Sequence, residues 1–180
     1  MNKMSDYIKK FLDETNKISK EINQDDIEKL INFVVSTKKS NGRIFFIGIG
    51  GSAANCSHAV NDFRKIANIE SYTPLDNVAE LTARINDDGW DTIFSNWLKQ
   101  SKINSNDLVF IMSVGGGSLK KNISTNIVNT IDYCLKKKIK IVGIVSRDGG
   151  YTKLKSNACV TIPVISNDTI TPHAEAWQAV

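Results

Sequence analysis

Two glycine- and serine-rich segments are the strongest chemical signals in the sequence. Residues 48–52 (GIGGS), here the first loop, and residues 113–118 (SVGGGS), the second loop, each follow an apolar run and precede a helical pattern. Glycines let the backbone approach an anion closely, and the free N–H groups of a helix N-terminus attract a phosphate. Together with the serine hydroxyls, these features predict a site for the phosphate of a ligand.

The first loop alone fits two other interpretations. Gly48, Gly50 and Ala53 match the spacing of a dinucleotide-binding fingerprint, and Glu70 lies about where its ribose-binding acid would fall. A tight turn without a ligand is the second alternative. A dinucleotide-binding domain does not require the second loop, whereas two loops at the carboxyl ends of parallel strands can converge on one phosphate. The pair of loops therefore favours a sugar-phosphate site.

The helix expected after the first loop carries a polar face. Asn55, His58 and Asp62 follow an i, i+3, i+7 spacing, so His58 and Asp62 lie one turn apart on the same side. Such a pair can serve as half of a metal site or as an acid–base pair, although two ligands are too few for zinc. A surface hydrogen bond without a functional role is the alternative.

Strands and helices must position these groups. Apolar runs predict strands at residues 43–47, 69–72, 107–112, 139–145 and 158–164. Helical spacing occurs at residues 3–21, 25–38, 53–67, 77–86 and 90–99, and from the second loop to about residue 138. Residues 149–150 (GG) predict a turn, and Thr171 followed by Pro172 predicts the start of a last helix. The alternation predicts an α/β fold, a doubly wound parallel sheet with helices on both faces, preceded by two N-terminal helices.

Composition restricts the class of protein. The 180 residues are 41% hydrophobic and 23% charged, which suits one globular domain. No apolar run reaches the ~20 residues that span a bilayer, and the polar segment 1–10 lacks a signal-peptide pattern, so we expect a cytoplasmic protein without a membrane partner. The net charge is +4, and the basic residues are mostly scattered along the sequence, which argues against nucleic-acid binding. An odd number of cysteines, Cys56, Cys134 and Cys159, argues against a disulfide framework.

Four stretches carry a resemblance to a known family. They are residues 50–52 (GGS) with His58, residues 81–83 (LTA) with Asn86 and Asp87, the second loop, and residues 171–178. On these motifs the chain resembles a sugar isomerase (SIS) domain of the phosphoheptose isomerase branch, over nearly its whole length. The resemblance implies a flavodoxin-like fold and a homotetramer with active sites at subunit contacts. It implies zinc in some members and no nucleotide cofactor.

The same resemblance implies the activity and the site. Members convert sedoheptulose 7-phosphate to D-glycero-D-manno-heptose 7-phosphate by proton transfer through an enediol. Asp62 falls on the catalytic glutamate as the candidate base, and Asp87 is expected to orient hydroxyls or assist ring opening. The candidate zinc ligands are His58, Asp62 and Glu175. The expected substrate contacts are Gly50, Gly51, Ser52, Asn86, Asp87, Ser113, Val114, Gly115, Ser118 and Glu175.

Three positions depart from the family pattern. Asp62 is one methylene shorter than glutamate, Val114 replaces a threonine, and Glu175 replaces a glutamine. The family's catalytic histidine would fall about one turn beyond Val180, and the last helix shows no stop signal, so we expect that helix to be incomplete at residue 180. These departures keep open a second function, a non-catalytic module on the same fold that binds a phosphosugar or a protein partner.

Overall fold

In the computed structural model, which describes residues 3–180, apolar strands and amphipathic helices alternate as the sequence predicts. Met1 and Asn2, the first residues of the polar N-terminal segment, lie outside the described residues. The elements before the second loop are α1 (Lys3–Glu21), α2 (Gln24–Lys39), β1 (Ile44–Ile47), α3 (Gly51–Lys65), β2 (Ser71–Tyr72), α4 (Val78–Asp88), α5 (Ile93–Gln100) and β3 (Leu108–Met112). Those after it are α6 (Thr125–Lys136), β4 (Lys140–Val145), α7 (Gly150–Lys155), β5 (Ala158–Thr161), a 3-10 turn (Asn167–Thr169) and α8 (Ile170–Gln178).

The five strands pair in parallel in the order β2-β1-β3-β4-β5. This arrangement confirms the predicted flavodoxin-like fold with two N-terminal helices. Ile47 at the end of β1 pairs with Ile111 near the end of β3, so the first and second loops leave adjacent strands at the same edge. The chain order reverses between these two strands, which is where open α/β sheets bind their ligands.

Strand side chains alternate between two hydrophobic cores. Phe45 points into the core formed with α5 and α6, whereas Phe46 points into the core formed with α2 and α3. Cys134 lies in the first core and Cys56 in the second, where burial raises the pKa of both thiols to about 12. Both cysteines are free, as is the half-buried Cys159, and the two buried thiols act as small apolar groups.

Three elements differ from the sequence-based predictions. The helix after the second loop begins only at Thr125, because Ser118 and Ile123 pair in a short antiparallel bridge that interrupts the chain first. The glycine pair at residues 149–150 does not only turn the chain, since its second glycine begins the helix α7. The last helix begins at Ile170, because the 3-10 turn runs directly into it, so Thr171 is not the N-cap. No helix within residues 3–180 is both long and apolar enough to cross a membrane.

Candidate functional site

The first loop closes on a side chain from the last helix. Gly50 turns the chain with a φ of 65°, and α3 begins at the next residue, Gly51. The carboxylate of Glu175 lies directly on Gly51, where any Cβ atom would collide with it. A negative charge is favourable at the N-terminus of a helix, so the loop receives an internal carboxylate at the position where anions are attracted.

Helix α8, which carries Glu175, is fixed to α1 and α3. The Asn55 side chain on α3 donates a 2.8 Å hydrogen bond to the main-chain carbonyl of Glu175. On the opposite side, Glu14 of α1 is buried and accepts a hydrogen bond from the Thr169 hydroxyl at 2.6 Å. Its same oxygen lies 3.0 Å from Nε2 of the buried His173. The Thr169 hydrogen bond is the main cause that lowers the pKa of Glu14, although burial opposes it.

The second loop is fixed by main-chain contacts to α7. The N–H groups of Tyr151 and Thr152 donate to the carbonyls of Gly117 and Gly116 at 2.8 and 2.9 Å, and the Thr152 hydroxyl donates to Gly116 as well. The Ser113 hydroxyl oxygen accepts a hydrogen bond from the Gly116 N–H at 3.0 Å. The carbonyls of Gly116 and Gly117 are therefore occupied, and these contacts fix this part of the loop against α7.

Three N–H groups of the second loop, those of Val114, Gly115 and Gly117, donate no hydrogen bond within residues 3–180. The Ser118 hydroxyl oxygen accepts from the Lys121 N–H at 3.2 Å, which leaves its own proton free to donate. Free N–H groups and serine hydroxyls in a preformed loop are a suitable set of donors for a phosphate.

His58 and Asp62 form an exposed pair on α3. His58 Nε2 lies 3.1 Å from Asp62 Oδ2, and the two side chains are 69% and 41% exposed. The Asn61 side chain donates to the other carboxylate oxygen at 2.9 Å. In the part of the chain that the structure describes, no three His, Cys, Asp or Glu side chains are arranged to hold a metal, so Glu175 does not join this pair as a third ligand. An exposed histidine–carboxylate pair can accept and return a proton.

Asn86 and Asp87 lie on the exposed end of α4. The Asn86 side chain donates to the Asp87 carboxylate at 2.8 Å. No hydrogen bond or ion pair recorded for residues 3–180 links either of them to another candidate residue. One chain thus brings together both loops and Glu175, but leaves the pair on α4 facing solvent.

Comparisons with known proteins identify the family. A family model described as the SIS domain matches residues 6–146. A phosphoheptose isomerase of Aliarcobacter butzleri is 30% identical over 172 residues, which cover 90% of this chain and 85% of that protein. The chain belongs to the SIS domain family, in its phosphoheptose isomerase branch.

Solved structures share the fold of this SIS domain at low sequence identity. The structure of a phosphoheptose isomerase from Francisella tularensis matches with a TM-score of 0.82 and 19% identity, and covers 99% of this chain and 93% of that one. The Vibrio vulnificus NanR protein complexed with ManNAc-6P matches with a TM-score of 0.61 and 13% identity, over 93% of this chain and 55% of that one. The fold therefore occurs both in enzymes and in a protein that binds a sugar phosphate.

Two residues of the earlier predictions have other contacts in this SIS domain: Val114 packs in a hydrophobic cluster, and Glu70 forms a side-chain hydrogen bond. The Val114 side chain packs against Ile18, Ile162 and Ala174, beneath α8. The prediction that Val114 contacts substrate therefore rests on its main chain. Glu70, which the dinucleotide alternative required as the ribose acid, accepts a hydrogen bond from the Tyr72 hydroxyl at 2.8 Å.

Residue types and spacing did not predict the role of Glu14, which fixes the last helix. Its partner His173 is 159 positions away, so no local pattern links the two. One signal was present: Glu14 lies at i+3 from Phe11 and i−4 from Ile18, on the apolar face of α1. A carboxylate on a buried face requires a buried partner, and that partner is the Thr169–His173 pair.

Proposed function

We propose that this SIS domain is a phosphosugar isomerase that converts sedoheptulose 7-phosphate to D-glycero-D-manno-heptose 7-phosphate. The observation that carries the proposal is the second loop, whose free N–H groups at Gly115 and Gly117 lie in a preformed turn beside the first loop. The names of the curated relatives support the same class of reaction.

The two loops are proposed to hold different parts of the substrate. A phosphate beside the Glu175 carboxylate would place two negative charges together at the start of α3, which is unfavourable. The phosphate therefore binds in the second loop, with Ser113 and Ser118 as further donors. Sugar hydroxyls bind near Gly51 and donate to Glu175.

The proton transfer is assigned to the pair on α3. Isomerisation through an enediol needs a base that removes a proton from carbon and a donor for the developing oxyanion. Asp62 is the proposed base, and its neighbour His58 is the proposed acid at 3.1 Å from it. Asp87 orients hydroxyls or assists ring opening. No step is assigned to zinc, because His58 and Asp62 do not form a three-ligand cluster with Glu175.

Assembly is proposed to complete the site. The pair on α3 and the pair on α4 face solvent in one chain, and α1 exposes Tyr7, Ile8 and Leu12, each more than half accessible. An apolar helix face of this kind suits contact with another subunit. We propose a cytoplasmic homotetramer in which a neighbouring chain covers the substrate.

Ligand binding provides the first test. Sedoheptulose 7-phosphate should raise the melting temperature, because a ligand at a hundredfold excess over its Kd adds about 2.7 kcal/mol of stability. Unphosphorylated sedoheptulose should produce little shift, and Ser113→Ala and Ser118→Ala should each reduce the shift. Equal shifts with both sugars, or a larger shift with NAD, would remove the sugar-phosphate proposal.

Turnover provides the second test. Conversion followed by NMR should fall about 10²–10⁴-fold in Asp62→Asn, which removes the base but retains the side-chain volume. Glu28→Gln on α2 is the matched control, since it changes an exposed carboxylate to an amide away from the site. Binding without turnover in the unmodified protein would favour the non-catalytic module, an alternative that Val114 and the shorter Asp62 support.

A further inference from the structure

A basic cleft borders the second loop on the side of α7. Its volume is about 1070 Å³, and it is lined by the second loop, the bridged segment 118–123 and residues 147–154. Neither the first loop nor Glu175 is part of its lining. The cleft is therefore distinct from the part of the site assigned above to the sugar hydroxyls, and it shares only residues of the second loop with the proposed phosphate site.

The charges in the cleft are nearly all positive. Lys120, Lys121, Arg147 and Lys153 line it, against a single acid, Asp148. The carboxylate of Asp148 accepts a 3.1 Å hydrogen bond from the main-chain N–H group of Gly150, which partly compensates its negative charge. A concave surface with charges of one sign concentrates counter-ions, so this cleft attracts polyanions.

The cations are positioned by the local backbone. The stem of Lys153 lies across Gly149, where any Cβ would collide with it. Two main-chain hydrogen bonds between Ser118 and Ile123, of 2.9 and 3.1 Å, close the turn that presents the two lysines between them. Arg147 has a φ of 55°, a left-handed conformation that is unfavourable for a residue with a side chain. Such residues often lie at functional sites.

Apolar side chains form the rest of the wall. Leu119, Ile123 and Leu154 line the cleft and are 59%, 53% and 72% exposed. A sugar phosphate has no flat apolar group to cover them. A nucleoside diphosphate has both a base that can pack on these side chains and a diphosphate that four cations can bind.

We propose that the basic cleft binds a nucleoside diphosphate, free or as part of a larger compound, and that this ligand regulates the chain. Because Gly115, Gly117 and Ser118 line the cleft as well as the proposed phosphate site, the two ligands compete. The competition rests on the proposed function, whereas binding of the nucleotide does not. The nucleotide should raise the apparent KM for the sugar phosphate and leave kcat unchanged.

Calorimetric titration of the unmodified protein, at about 0.15 M ionic strength, tests the ligand class. ADP and UDP should each bind at least tenfold more tightly than pyrophosphate, which lacks the base, and than adenosine, which lacks the charge. Equal binding of pyrophosphate would overturn the nucleoside assignment, and absence of binding by ADP and UDP would overturn the site.

Charge variants test the location. Lys120→Ala with Lys121→Ala should weaken nucleotide binding at least tenfold, and so should Arg147→Gly, in which glycine accepts the positive φ. Lys136→Ala with Lys137→Ala is the control, because it removes the same charge at the exposed end of α6. Equal weakening in the control would show a non-specific charge effect and would overturn the site.

Parallel titrations separate this inference from the proposed function. Sugar-phosphate binding without nucleotide binding would overturn the inference alone. Nucleotide binding without sugar-phosphate binding would overturn the proposed function and the competition, but not the site. Simultaneous, independent binding of both ligands would show that they do not share the second loop, and would overturn the competition.

Discussion

The two glycine loops lie side by side on adjacent strands, yet they are held in different ways. In the second loop, a Cβ at Gly116 would collide with the main-chain carbonyl of Gly149, and one at Gly150 would collide with the carbonyls of Gly115 and Gly117. In the first loop, a Cβ at Gly51 would collide with the end of the Glu175 side chain. A collision between two main-chain segments cannot be relieved by a small movement, whereas the carboxylate of Glu175 can rotate away. The second loop is therefore preformed. The start of the first loop is also held by main chain, since a Cβ at Gly48 would collide with the Ser52 carbonyl, but its Gly51 end depends on where α8 lies.

The largest effect should come from adding a methyl group to the second loop. Gly116→Ala forces a side chain into a φ of 67°, which costs about 1–2 kcal/mol. The collision with a fixed carbonyl adds a further cost of about 1–3 kcal/mol. We expect a large loss in the free energy of unfolding, measured in urea, together with loss of sugar-phosphate binding. A stable variant with normal binding would show that the second loop is as adjustable as the first.

A medium effect should come from the contact that holds α8. Glu14→Gln removes a charged acceptor from Thr169 and His173, and hydrogen bonds to charged groups contribute about 1.5–3 kcal/mol each. Hydrogen exchange should become faster in α8 and remain unchanged in α7. Glu21→Gln at the exposed end of α1 is the control, and exchange that rises equally in both helices would contradict the distinction between the loops.

A methyl group added to the first loop, in Gly51→Ala, should change the free energy of unfolding little and sugar-phosphate binding more. Gly51 has no positive φ, so Gly51→Ala should stabilise the protein by about 0.4–1 kcal/mol, because alanine reduces the conformational entropy of the unfolded chain. This gain offsets the cost of displacing the Glu175 side chain. We expect a net change in stability of less than about 1 kcal/mol. The displaced Glu175 carboxylate would no longer accept the proposed hydrogen bond from a sugar hydroxyl. Loss of this hydrogen bond to a charged group should weaken sugar-phosphate binding at least about tenfold.

A double-mutant cycle checks the cause of that weakening. Glu175→Ala should weaken binding by a similar factor, and the combined variant should lose no more than either single change. Additive losses would mean that Gly51 and Glu175 act separately, and the first loop would then have no dependence on α8.

The positions of the two loops could largely be predicted from the sequence. The two strands that lead into the loops, β1 and β3, are uniformly apolar and the Gly/Ser segments follow them directly, so these strands and both loops could be placed from periodicity and turn chemistry. The interruption before α6 could not, because it depends on a bridge between Ser118 and Ile123 that has no periodic signal. Helix α7 has only six residues and begins at a glycine with a φ of 53°, so neither its length nor its first residue resembled a helix.

The site was less predictable than the fold, for a reason of distance along the chain. The contact of Glu175 with Gly51 joins residues that are far apart in sequence, and so does the contact of Glu14 with His173. Residue types could suggest that these groups do chemistry, but not which of them meet. His58 and Asp62 were paired correctly because helical spacing alone brings them together.

The smallest effect should be a difference in acid sensitivity between the two sides of the site. Glu14 has a pKa below its usual value of 4.5, chiefly because the Thr169 hydroxyl donates to it, with His173 and Lys10 also facing it. A carboxylate whose folded-state pKa is lowered stabilises the protein above the unfolded value, and that stability is lost as pH falls through the lowered pKa. The contacts of the second loop with α7 involve main-chain groups and Thr152, which do not titrate.

Acid should therefore loosen α8 and the first loop before it affects the second. Other carboxylates also titrate below pH 4.5, so the informative quantity is the difference in unfolding free energy between the unmodified protein and Glu14→Gln. That difference should be full at about pH 6 and should shrink as pH falls below the ordinary glutamate value, since protonation leaves both proteins with a neutral side chain at residue 14. A difference that stays constant down to about pH 3 would mean that the charge of Glu14 does not hold α8, and that hydrogen bonding alone positions Glu175 on Gly51.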